Sequence, residues 1–121
     1  MGLSTHVLDT MHGVPAAGMA VAFYTTAPAA DGPVATLVRR FVLNADGRNP
    51  DGLLYDTASL QVGTYRLVFD VAAYFQARGV PLPEPSFLNL VTLDFGVADT
   101  RQHYHVPLLV SPWSYSTYRG S

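Results

Sequence analysis

The chain has 121 residues and a mass of 13.1 kDa, enough for one domain spanning 1–121 with one buried core. Hydrophobic residues make up 49% and charged residues 13%, with nine prolines and ten glycines; this excludes a disordered chain and calls for frequent turns. The seven basic residues are all arginines, scattered among nine acids for a net charge of -2, so no basic footprint for nucleic acid or an anionic membrane is present. Without lysine, Schiff-base and P-loop chemistry are excluded. Without cysteine there are no disulfides and no thiolate sites. Residues 1–6 have neither a basic n-region nor an apolar h-region, so no secretory signal is expected and the expected location is cytoplasmic. No apolar stretch approaches the roughly 18 residues of a membrane span.

Residues 3–8 form an apolar, β-branched run closed by Asp9, Thr10, Gly13 and Pro15, which predicts a first strand and turn. A second strand is predicted over 19–26 and is closed by Pro28, Asp31, Gly32 and Pro33. The third covers 36–43 and ends in Asn44-Ala45-Asp46-Gly47, where Asp-Gly is a turn signal. A short fourth falls at 53–55. Residues 63–70 alternate, with Tyr65, Leu67 and Phe69 on one face and Thr64, Arg66 and Val68 on the other. The period then changes: Val71, Tyr74, Phe75 and Arg78 follow helical spacing, with Asp70 as N-cap and Gly79 just past the end. Pro81, Pro83 and Pro85 enforce an extended linker before a strand at 88–95. Strands at 104–110 and 113–118, joined by Ser111-Pro112, complete the chain. About eight short strands with one inserted helix is the pattern of an antiparallel β-sandwich.

The chain lacks a Gly-x-Ser-x-Gly elbow, a His-Glu-x-x-His pair and a Gly-rich phosphate loop. Residues 46–56 are acidic, but Arg48 and Pro50 stand where a calcium loop wants oxygen donors. The single glutamate, Glu84, rules against a paired-carboxylate mechanism. Histidine and arginine remain. His103 and His105 are two apart on a predicted strand and therefore share a face, a spacing that can bind a metal but more often belongs to one exposed and one packed histidine. Taken alone, His6 reads as an ordinary strand histidine, Arg48 as a solvated loop charge and residues 118–121 as a frayed terminus.

Together the pieces say more. Residues 3–10 (Leu-Ser-Thr-His-Val-Leu-Asp-Thr), Asp46-Gly47-Arg48, the run His103-Tyr104-His105-Val106-Pro107-Leu108-Leu109 and the ending Tyr118-Arg119-Gly120-Ser121 resemble the 5-hydroxyisourate hydrolase family, the transthyretin-related enzymes of purine breakdown. The resemblance spans nearly the whole chain, and the Tyr-Arg-Gly-Ser ending separates the enzymes from transthyretin, the hormone carrier of the same fold. It implies an all-β, transthyretin-like sandwich of two sheets with one short helix, assembled as a homotetramer with active sites at a dimer interface. The implied catalytic residues are His6, Arg48 and His105, with Tyr118, Arg119, Gly120 and Ser121 binding substrate. The implied reaction opens the six-membered ring of 5-hydroxyisourate by hydrolysis of an amide bond. A histidine near pKa 6.5 suits deprotonation of water, and a guanidinium suits a developing oxyanion; neither a metal nor a cofactor is expected. Two other readings stand beside this one: a non-catalytic carrier of a small aromatic ligand, and a divalent-metal site on His103 and His105.

Overall fold

The first strand, β1 (Gly2–Asp9), alternates from Leu3 onward: Leu3, Thr5, Val7 and Asp9 are buried while Ser4, His6 and Leu8 stay half-exposed. This period of two is the reason the segment pairs as a strand, with one face in the core and polar groups on the other. The computed structural model describes residues 2–121; Met1, the start of the expected 1–121 domain, lies outside the described residues.

After β1 come β2 (Val14–Pro15), β3 (Ala20–Ala27), β4 (Val34–Val42), β5 (Tyr55–Asp56), β6 (Gly63–Asp70), the helix α1 (Val71–Ala77), β7 (Leu90–Val97), β8 (Tyr104–Val110) and β9 (Tyr115–Thr117). One sheet has the order β2-β1-β8-β9, with β5 added on β1, and the other the order β4-β3-β6-β7. Side chains from both inner faces, among them Leu3, Val7, Phe23, Leu67, Phe69 and Leu108, fill one hydrophobic cluster. Burying each removes roughly 1.5–3 kcal/mol worth of apolar surface from water.

The two-sheet sandwich with one short helix matches the expected architecture, and several details differ from expectation. Among the described residues there are nine strands instead of about eight, because Val14–Pro15 makes a two-residue pairing with Leu8 and Asp9 that a Gly-Pro turn signal conceals. The short strand expected at 53–55 is Tyr55–Asp56, and the last strand is limited to Tyr115–Thr117 because Ser111 and Ser114 close a turn before it. The pairing of β1 with β8 is parallel, unlike the antiparallel remainder. Strands so far apart in sequence need no hairpin, so their relative direction is free to follow packing.

Helix α1 forms where expected. The Asp70 carboxylate accepts from the Ala73 amide at 3.4 Å, and the helix ends before Gly79, whose φ of 80° suits glycine. It buries Val71, Ala72, Tyr74 and Phe75. The Tyr74 hydroxyl donates to the fully buried Asp9 carboxylate at 2.7 Å, tying the helix to the end of β1.

Candidate active site

The outward face of β1 presents Ser4 and His6, and the outward face of β8 presents His105. The parallel register sets Ser4 against His105 and His6 against Pro107, so the three side chains gather on one patch of the sheet. The rings of His6 and His105 have their centroids 6.4 Å apart.

Arg48 reaches this patch through a turn. The Asn44 side-chain oxygen accepts from the amides of Asp46 at 2.9 Å and Arg48 at 3.1 Å, closing the loop that follows β4. Gly47 then passes against β1: its carbonyl accepts from the Val7 amide at 2.9 Å, and its φ is 72°. A side-chain Cβ here would stand 2.5 Å from the Val7 carbonyl oxygen, so only glycine fits. The next residue, Arg48, forms an isolated antiparallel bridge with His6. A cavity of about 510 Å³ lined by Ser4, Asn44, Arg48, Asn49 and His103 opens alongside, a size suited to a small ligand.

The C-terminal tail crosses the same patch. His105 and Gly120 exchange two backbone hydrogen bonds, the Gly120 amide donating to the His105 carbonyl at 2.7 Å and the His105 amide to the Gly120 carbonyl at 3.1 Å. A Cβ on Gly120 would lie 3.1 Å from the His105 Cβ, so this crossing needs the missing side chain. Arg119 turns back along the sheet: its guanidinium stacks 4.3 Å over Tyr104 and donates to the Gln102 side chain and the His103 carbonyl. Tyr118 and Ser121 are exposed. Of the residues expected from sequence, the fold therefore brings His6, Arg48, His105 and Gly120 together. It sets Arg119 on Tyr104 and leaves Tyr118 and Ser121 at the surface of the single chain.

Burial first, and the Arg48 guanidinium second, hold the His6 imidazole below its ordinary value of 6.5, against an opposing hydrogen bond to the Asp46 backbone. Burial, then Arg48, His6 and His103, lower His105 in the same direction. Both rings are thus neutral at neutral pH and each offers a lone pair, while the arginine beside them remains charged. A neutral base next to a fixed cation can take a proton from water and stabilise negative charge on an attacked carbonyl.

Two residues of this site were not singled out as members by sequence. Ser4 places its hydroxyl 2.8 Å from His105 Nδ1 and 3.1 Å from His103 Nε2. His103 lies just before β8, which begins at Tyr104, and so is not on the strand where its spacing put it; its ring and that of His105 nevertheless converge on this hydroxyl. Ser4 alternates with His6, which was the available signal; the cross-strand register that makes it matter was not legible.

Comparison with known proteins gives a consistent answer. Residues 3–120 match the model of the HIUase/Transthyretin family. A 5-hydroxyisourate hydrolase from Ralstonia nicotianae is 54% identical over 119 residues, covering 98% of this chain and 97% of that one. The solved structure of an (S)-allantoin synthase superposes with a TM-score of 0.90 at 43% identity, covering 99% of this chain; this chain spans 43% of its length. Sea bream transthyretin in complex with thyroxine superposes with a TM-score of 0.80 at 28% identity over 99% of this chain and 95% of that one.

Proposed function

The chain belongs to the HIUase/Transthyretin family, and on that premise we propose that it hydrolyses 5-hydroxyisourate to 2-oxo-4-hydroxy-4-carboxy-5-ureidoimidazoline, with His6, Arg48 and His105 as the catalytic residues. The observation that carries this reading is the convergence of two neutral imidazoles and one guanidinium on the outward face of β1 and β8.

In the reaction a histidine takes a proton from water as the water oxygen bonds to the ring amide carbon. Arg48 donates to the carbonyl oxygen, which gains negative charge in the tetrahedral adduct. Collapse of the adduct breaks the carbon–nitrogen bond. The departing nitrogen takes a proton from the second histidine as that ring receives the one the first histidine removed from water, leaving a carboxyl group on one arm of the opened ring. These steps use protons alone, so the proposal includes neither metal nor cofactor. Tyr118, Arg119, Gly120 and Ser121 are proposed to bind substrate, with Gly120 holding the tail against His105.

A homotetramer is part of the same proposal. Trp113, Tyr115 and Tyr118 are 58%, 45% and 61% exposed around β9, which is an edge strand with aromatic residues and unpaired backbone groups, the kind of edge a partner strand covers. A cytoplasmic location is likewise proposed, for an enzyme of a small soluble metabolite; among the described residues no helix is long and apolar enough to cross a membrane.

The test is to generate 5-hydroxyisourate from urate with a urate oxidase and follow its ultraviolet decay with and without this protein, in the presence of EDTA. Accelerated decay untouched by EDTA is expected. Decay at the spontaneous rate would defeat the hydrolase reading and turn attention to the carrier reading, and inhibition by EDTA would restore the metal reading at His103 and His105.

A further inference from the structure

We propose that His103 and Ser4 form a proton-positioning relay that fixes the tautomer of His105, making His105 the proton donor of the pair and leaving His6 as the base. This assignment rests on the hydrolase reading above for its catalytic meaning and on the hydrogen-bond geometry alone for the tautomers.

The relay begins at a buried nitrogen. His103 Nδ1 is shut off from water and has no hydrogen-bond partner. A proton there would be a buried donor with nothing to receive it, and a doubly protonated ring would add an uncompensated charge. The single proton of His103 therefore sits on Nε2, and Nε2 donates to the Ser4 oxygen 3.1 Å away. A hydroxyl has one proton. With its oxygen accepting from His103, Ser4 directs that proton to the other neighbour, His105 Nδ1, at 2.8 Å. His105 Nδ1 is then an acceptor, which puts its own proton on Nε2, away from Ser4.

His6 completes the pair from the opposite side. As a neutral imidazole it carries a proton on one ring nitrogen and a lone pair on the other. The two rings, 6.4 Å apart, thus hold complementary forms in the resting protein: a lone pair on His6 to receive a proton from water, and an N–H on His105 to donate to the departing nitrogen. The proton gained by His6 passes to His105 as His105 donates its own, so neither ring is left as an imidazolate and the cycle balances without an outside acid. Ser4 and His103 are positioning residues here, since they act through His105.

Nuclear magnetic resonance of ring nitrogens in the ¹⁵N-histidine-labelled wild-type protein reads the tautomers directly and without substrate. The expected result is an Nε2–H form for both His103 and His105. The Ser4→Ala variant should release His105 into a mixture of tautomers and lower kcat by ten- to a hundredfold, roughly the scale of losing a partner that orients a catalytic imidazole, with KM changed by less than about twofold. An Nδ1–H form of His105 in the wild-type protein overturns the proposal, as does a folded Ser4→Ala protein with wild-type kcat. Failure of the hydrolase reading has a separate signature: no turnover by the wild-type protein, with the ring-nitrogen spectrum still reporting the relay.

Discussion

His6 and Arg48 face one another across an isolated antiparallel bridge, so the base and the cation of the proposed site are joined through backbone and need no side-chain contact to stay in place. Gly47 makes the bridge possible by lying against the Val7 carbonyl. The positions of both groups are therefore tied to the hydrogen-bonded sheet, and a site carried on regular elements is better preorganised than one on loops.

Replacing either histidine removes a proton-transfer group. His6→Ala and His105→Ala are each expected to lower kcat by on the order of 10² to 10⁴. Arg48→Lys keeps the charge but loses the forked donors and is expected to cost on the order of 10². Steady-state turnover of 5-hydroxyisourate checks all three, and near-normal rates in both histidine variants would remove them from the mechanism.

The lowered pKa of both histidines sets the pH dependence. The acid limb of kcat/KM should have its midpoint below 6.5, because burial and Arg48 oppose protonation of either ring. Stability follows the same sign: below 6.5 the unfolded chain takes up protons that the folded chain does not, so stability falls from there down to the folded values and levels off beneath them. Urea midpoints measured between pH 7.5 and 5 should decline, and they should decline less in a His6→Gln, His105→Gln protein.

Removing residues 118–121 deletes the Gly120–His105 bridge while sparing β9 and the core. Activity should be lost with the far-ultraviolet circular dichroism spectrum unchanged. The milder Gly120→Ala change pushes a methyl against His105 and should lower kcat with a shift of only a few degrees in Tm. A truncated protein with full activity would show that the tail is only a terminus.

Gly47→Ala tests the approach of the Arg48 loop. A methyl at φ 72° and 2.5 Å from the Val7 carbonyl must displace the loop, at a cost of at least about 1–2 kcal/mol from the backbone conformation alone. Lower stability in urea together with lost turnover is expected.

Asp9 offers a prediction away from the site. Burial pushes its carboxyl up, yet hydrogen bonds from Tyr74 and from the side chain and backbone of His12 outweigh it and leave the group below its usual value. Tyr74 in turn is pushed up to about 12 by burial and the Asp9 carboxylate. Tyr74→Phe should cost about 1–3 kcal/mol at neutral pH, the scale for a buried carboxylate losing one donor. The Asp9 contribution is present above its ordinary value near 3.8 and is lost as pH falls through the lower folded value. Acid titration of the variant should thus show a smaller loss of stability over that range than the wild type.

Sequence alone determined the local and the repetitive features. Alternation at 63–70 and the break at Asp70 placed β6 and α1, because a strand and a helix bury different periods of the same chain. The Asp-Gly turn before Arg48 and the His-Tyr-His run were visible for the same reason: they are short and contiguous. The tertiary structure decided what lay between distant segments. The parallel register that sets Ser4 against His105, the passage of Gly47 under Val7 and the fold-back of Arg119 onto Tyr104 each depend on how two sheets pack. Such packing follows from the summed burial of many side chains, and no single stretch of sequence carries it.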